Sequence, residues 1–242
     1  MVLIPSSPQP SGGTSADSPT SPPPTGSFIQ SPIGKKLLTG VTGLTLILFV
    51  VVHLFGNLVL FVSPAAYNQL ARFIEGSGPL LALVELLLIA AVSVHAATAV
   101  NIYLGKRQAR SIAYAHYASA GEPSRQTLAS RTMIFSGLLL GLFLVVHLAT
   151  FKFGKTYILP GSGDRDLARL VFETFRKPSY TAGYVVILSL LGLHLRHGIW
   201  SALQSLGVET KPRLFAASAV FGGAIAIGFI GLPLAIYFGF IG

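Results

Sequence analysis

From Leu37 to Phe61 the chain runs without a charged side chain, LLTGVTGLTLILFVVVHLFGNLVLF. As a helix rising 1.5 Å per residue, that stretch is long enough to cross about 30 Å of hydrocarbon. Lipid offers no partner to a backbone N–H or C=O group, so a helix is the form expected of it. One ionisable side chain lies inside the run, His53. Ionisable groups at membrane depth are costly and tend to mark sites. The question for the remaining chain is therefore what His53 binds.

Four further apolar runs follow, and spans are expected over residues 33–62 (I), 78–104 (II), 131–151 (III), 179–206 (IV) and 213–240 (V). Pro64, Pro79, Pro178 and Pro212 punctuate them, as residues that stop a helix or suit its first turn. The expected fold is an all-α membrane protein of five transmembrane helices in a bundle over residues 31–242. Only 10% of residues are charged and mean hydropathy is +0.68, where soluble domains carry about 25% charge. Residues 1–30 are rich in Pro, Ser, Thr and Gly and read as a flexible tail, without the basic and apolar segments of a signal peptide. Between spans III and IV, DLARLVFETF has helical spacing and is placed along the outer surface.

The net charge of +9 sits in short loops beside apolar spans, which fits anionic lipid or a protein partner and not nucleic acid. Nine basic residues fall on the side of the N-terminus and seven on the other. That bias puts the N-terminus in the cytoplasm, in the cell inner (cytoplasmic) membrane. The chain has no cysteine, which removes disulfides, iron–sulfur ligation and thioether-linked haem. Methionine occurs only at Met1 and Met133, so a metal cofactor would be held by histidine.

Spans I to IV each carry histidine, at His53, His95, His147, and His194 with His197. Measured along each helix, His53 lies about 25 Å above Lys36 and His147 about 24 Å above Arg131, so these two are level. His95 lies about 16 Å from Lys106, and His194 and His197 about 20 and 15 Å from Gly207, which makes a second level. One membrane histidine alone is more often a hydrogen-bonded core residue. Four helices supplying two pairs at two depths is the layout of two bis-histidine b-type haems enclosed by the bundle. Two level pairs do not converge on one four-coordinate zinc or copper centre. The fourth ligand stays open between His194 and His197. His116, in a polar loop, is a surface residue. Gly40, Gly43, Gly137, Gly141, Gly192 and Gly198 either make room for a flat ring or serve close helix packing.

With these residues in place, the chain resembles the cytochrome b subunit of succinate:quinone oxidoreductases, in its single-chain, five-helix, two-haem form. SPIGKKLLTGVTGLTLILFVVVHLFGNLVLF, ASRTMIFSGLLLGLFLVVHL and GLHLRHGIWSALQSLG carry the likeness. The resemblance implies a non-catalytic electron-transfer anchor. Its partners would be a flavoprotein subunit, an iron–sulfur subunit, membrane lipid and a quinone, in a complex able to form a higher oligomer. It implies a distal haem on His53 and His147 and a proximal haem on His95 and His194, the last matched by an H-x-x-x-G pattern ending at Gly198. His197 is the alternative that helix depth slightly prefers. Two-haem forms resemble menaquinone users.

Haem propionates call for Arg, Lys, Ser or Tyr near the interface, and Ser130, Arg131, Ser136 and Arg196 are the candidates. Glu75 and Glu85 are candidates for quinone protonation, and Ser31 and Lys35 for lining a quinone pocket at the inner face. Some fumarate reductases that look like this family carry a glutamate two residues before the fourth ligand. Here that position is Gly192. Two other classes share parts of this pattern: the bis-haem arm of another quinone-linked dehydrogenase, and a haem-free transporter or scaffold.

Overall fold

The computed structural model of the chain describes residues 27–108, 128–209 and 211–242, and for residues 128–131 the backbone alone. Seven helices are described: α1 (Pro32–Leu58), α2 (Pro64–Glu75), α3 (Pro79–Gln108), α4 (Leu128–Phe151), α5 (Leu167–Phe175), α6 (Pro178–Ser205) and α7 (Pro212–Tyr237). Five segments are long and apolar enough to cross a membrane: Pro32–Phe61, Pro79–Gln108, Thr132–Phe151, Pro178–Ser205 and Pro212–Tyr237. Each coincides with an expected span, with ends displaced by about one helical turn at most. The chain is thus a multi-pass helical membrane protein. Among the described residues there is no strand, only an isolated antiparallel bridge between Ile158 and Arg165.

Helix starts follow local chemistry. The Ser31 and Ser63 hydroxyls accept from the backbone N–H of Gly34 and Ala66, both at 3.0 Å, ahead of Pro32 and Pro64. A side-chain oxygen satisfies an otherwise orphaned N–H, and proline loses nothing at the first helical position. Pro178 and Pro212 also open α6 and α7, there after Lys177 and Lys211 and without a side-chain cap. Phe28–Gln30, assigned to the flexible tail from sequence, form a 3-10 turn against α1.

The packing pattern positions the site. α6 packs most extensively on α7; α1 packs on α3, α6 and α7; α4 packs on α6. α3 touches α4 only lightly, and neither α1 with α4 nor α3 with α6 makes a substantial backbone contact. Helices α1, α3, α4 and α6 therefore surround an interior across which α1 faces α4 and α3 faces α6. Against α7, α6 comes close because both carry glycine. A Cβ on Gly222 would stand 2.9 Å from Gly192 O and from Arg196 N, and one on Gly192 2.8 Å from the Ala226 Cβ.

The two connecting helices form a cap at the end of the bundle away from the N-terminus, the far end. DLARLVFETF does fold as a helix, α5. It does not simply lie along the surface, because Ala168, Leu170, Val171, Thr174 and Phe175 are buried. Its partner α2 was not expected from sequence. Asn68 of α2 is buried between them; its Nδ2 donates to Asp166 Oδ1 at 2.8 Å and its Oδ1 accepts from Ala168 N at 2.9 Å. Leu60, Tyr67, Val171, Phe175, Tyr184, Leu188, Leu232 and Ile236 form the core beneath.

Candidate functional site

The structure brings His53 and His147 together. Their ring centroids are 5.8 Å apart, although they sit on helices that do not pack on each other. Aromatic rings surround the pair: Phe49 stacks on His53 at 5.4 Å and Phe229 lies 5.8 Å from it. Phe143 and Phe151 flank His147 at 5.6 and 5.3 Å. The second group is His95 on α3 and His194 on α6, within electrostatic range of each other, with His197 also beside His194. Arg196 and Lys106 lie near His197.

Ring tautomers follow from the partners. His95 Nδ1 lies 3.1 Å from the Thr39 carbonyl oxygen. A carbonyl only accepts, so Nδ1 carries the proton and Nε2 keeps the lone pair. Ser136 Oγ lies 2.9 Å from His194 Nδ1 and 3.1 Å from Met133 O, so it holds the His194 ring from the Nδ1 side. Asn57 Nδ2 donates to His53 O at 2.8 Å and faces His53 Nε2 at 3.4 Å. An amide nitrogen has only protons to offer, so Nε2 is the lone-pair atom at His53, and here it faces the Asn57 amide. His147 Nδ1 lies 3.1 Å from the Tyr184 hydroxyl, on the far side of the ring from Nε2. Holding Nδ1 with a carbonyl or hydroxyl is how proteins orient histidines that bind a metal through Nε2.

The 5.8 Å between the His53 and His147 ring centres is close to the spacing of two imidazoles on one metal. A metal–imidazole bond is about 2 Å and the ring centre lies about 1 Å beyond, so two axial imidazoles stand about 6 Å apart, centre to centre. Among the described residues no three or more His, Asp or Glu converge, so a closed tetrahedral metal site is not built here. Among the described residues, two buried side-chain atoms lack a hydrogen-bond partner, Arg196 Nε and His197 Nδ1. The Arg196 guanidinium lies 5.1 Å from the Phe215 ring centre, so α6 offers a half-buried cation suited to an acidic substituent.

The glycines divide by position. A Cβ on Gly43 would meet the His95 ring at 3.1 Å and one on Gly137 the His194 ring at 3.5 Å, so both glycines make room at the histidines. Gly141 and Gly198 face open space, whereas Gly40 and Gly192 serve packing against α6 and α7. Ser136 meets the His194 ring, not the interface. The side chains of Ser130 and Arg131, and His116, lie outside the described residues. The four quinone candidates are not brought together. Ser31 caps α1 close to Lys35 at the near end, whereas Glu75 pairs with Arg165 at 3.2 Å and Glu85 with Lys152, both towards the far end.

Sequence reasoning missed Asn57, Thr39 and Tyr184. Asn57 is one turn past His53 and was readable from helical spacing. Thr39 and Tyr184 reach their histidines from other helices, and no spacing along the chain reports that. Fold and site together define a five-span helical membrane protein with two groups of oriented interior histidines. Comparison with protein-family models, curated proteins and solved structures gives no match to this chain.

Proposed function

We propose that the chain is the membrane anchor and electron-transfer subunit of a succinate:quinone oxidoreductase, working with a flavoprotein subunit and an iron–sulfur subunit. The observation that supports it best is the facing of His53 and His147 across two helices that do not otherwise pack, each ring held from a neighbouring side chain. His53 and His147 would hold one b-type haem and His95 and His194 the other. His194 is preferred to His197 because Ser136 orients its ring, whereas His197 Nδ1 has no partner. A haem supplies a one-electron iron couple when bound.

The residues of the chain do the rest. Thr39 and Ser136 hold the Nδ1 side of His95 and His194, whereas the Asn57 amide faces His53 Nε2 and would have to turn aside for that atom to bind iron. Phe49, Phe143, Phe151 and Phe229 exclude water around the far pair. Arg196, half-buried on α6, would pair with a propionate. Menaquinone is the expected lipid-soluble partner. Proton transfer by Glu75 or Glu85 would require its ion pair to Arg165 or Lys152 to open.

A reduced-minus-oxidised spectrum with haem quantitation on purified protein tests this reading. Two haems per chain are expected. His53→Ala and His147→Ala should each lose the same one, His95→Ala and His194→Ala the other, and His197→Ala and His116→Ala neither. A haem-free wild-type protein would refute it.

A further inference from the structure

Helix α2 is amphipathic in a way the bundle does not use up. At 3.6 residues per turn, Asn68, Arg72 and Glu75 share one flank, and Ala66, Leu70, Phe73 and Ile74 the other. The polar flank is turned over the bundle end. Arg72 pairs with Asp164 at 2.5 Å, Glu75 with Arg165 at 3.2 Å and Asn68 with Asp166 at 2.8 Å, all in the connection from α4 to α5. The apolar flank is turned the other way. Leu70 faces Gly56 of α1, and beyond it Phe73 and Ile74 are 77% and 45% exposed.

Tyr67 and Leu70 face the bundle, as apolar residues of any cap do, but Phe73 and Ile74 stand adjacent and exposed, which a water-soluble cap would normally avoid. That exposed pair has a direct physical reading. The exposed flank continues the apolar surface of the adjoining spans, where Val62 just after α1 is 78% exposed and Leu80 in the first turn of α3 is 62% exposed. All four side chains lie at one end of the bundle, beside the ends of the spans that close at Phe61 and open at Pro79. A phenyl ring and aliphatic groups beside charged residues are what an interfacial helix presents there.

The geometry points to bilayer lipid as the partner of this flank: α2 is an interfacial helix that lays Phe73 and Ile74 into the boundary between acyl chains and headgroups. Its ion pairs to the α4–α5 connection then tie the far-end cap to a fixed membrane height. Leu60 and Tyr67, on either side of the turn into α2, belong to the same core as Tyr184, so that height is shared with the His147 side of the site.

The absence of cysteine allows the test in the full-length protein. Phe73→Cys, Gln69→Cys and Leu80→Cys would each carry a nitroxide label after reconstitution into phosphatidylcholine–phosphatidylglycerol vesicles. Collision with oxygen, which favours lipid, is compared with collision with a water-soluble nickel chelate. The label at position 73 should favour oxygen, as position 80 does, and the label at position 69 should favour the nickel chelate. The inference is overturned if position 73 behaves like position 69. It is equally overturned if position 73 is shielded from both reagents, which would mean a protein partner or a second copy covers the flank.

Discussion

Gly222 and Gly223 are neighbours on α7 with opposite surroundings, and alanine at each measures how tightly α6 and α7 are locked. At Gly223 an added Cβ meets nothing within 4 Å. Replacing glycine by alanine inside a helix gains roughly 0.5–1 kcal/mol through lower backbone entropy in the unfolded chain. Gly223→Ala should therefore be neutral or stabilising. At Gly222 the same Cβ would stand 2.9 Å from Arg196 N and Gly192 O, and 3.3 Å from the Leu195 Cβ. Two of these are backbone atoms of a neighbouring helix and cannot rotate away, so α6 and α7 have to separate. Overpacking of this kind costs about 1–3 kcal/mol. Helix propensity is common to both variants, so it cancels in the difference. Gly222→Ala should be less stable than Gly223→Ala by about 1–3 kcal/mol. Reversible unfolding in mixed micelles measures this, and because His194 rides on α6, retention of the haem proposed there should fall with it. Equal stability of the two variants would refute the crossing geometry, and a more stable Gly222→Ala would do so more strongly.

Other outcomes follow from the same contacts. Asn68→Ala leaves the buried Ala168 N–H without its acceptor, at a cost of about 1–3 kcal/mol, and should expose the α4–α5 connection to limited proteolysis. If the proposed haems are bound, Gly43→Ala and Gly137→Ala should both weaken the one at His95 and His194 and leave the His53–His147 spectrum unchanged; loss of the other haem would be contrary. Glu173 is held below the usual carboxylate range by the Tyr157 hydroxyl and then Arg169, and Asp164 by Ser162 and then Arg72. Their folded values lie below the unfolded ones, so the folded cap binds fewer protons. Its stabilisation is present above the unfolded carboxylate values, about pH 4, and is lost as pH falls through the folded ones. Amide exchange in α2 and α5 should accelerate on acidification below that point, ahead of exchange in α6 and α7; uniform exchange across all four would contradict it.

Tyr67→Phe separates two roles for one phenol. Burial pushes its pKa up to about 12, so it stays neutral across the physiological range. Its hydroxyl reaches Asn57 only at 3.4 Å. Removing the oxygen should therefore cost at most about 1 kcal/mol and leave the haem content intact. Tyr184→Phe, by contrast, should loosen the His147 ring and lower retention of that haem alone.

Much of this protein was legible along the chain because a bilayer makes a one-dimensional demand. A segment that crosses hydrocarbon must satisfy its own backbone and keep charge out for about 20 residues, and both conditions can be read from composition in a window. The five spans, and the depth of each histidine along its own helix, follow from that alone. What surrounds each histidine does not, since depth along a helix says nothing of rotation about it or of the neighbour across the gap. The sequence therefore left Gly43 and Gly192 alike, whereas one faces the His95 ring and the other the backbone of α7. It left Ser136 near an interface, where packing turned it towards His194. It read residues 64–75 as a loop, because α2 gains its stability from Tyr67, Asn68 and the α5 contact and not from a long apolar run. Span, depth and count are properties of a chain in lipid, and were settled by the order of residues. Facing, tautomer and cap were decided only when seven helices competed for the same interior.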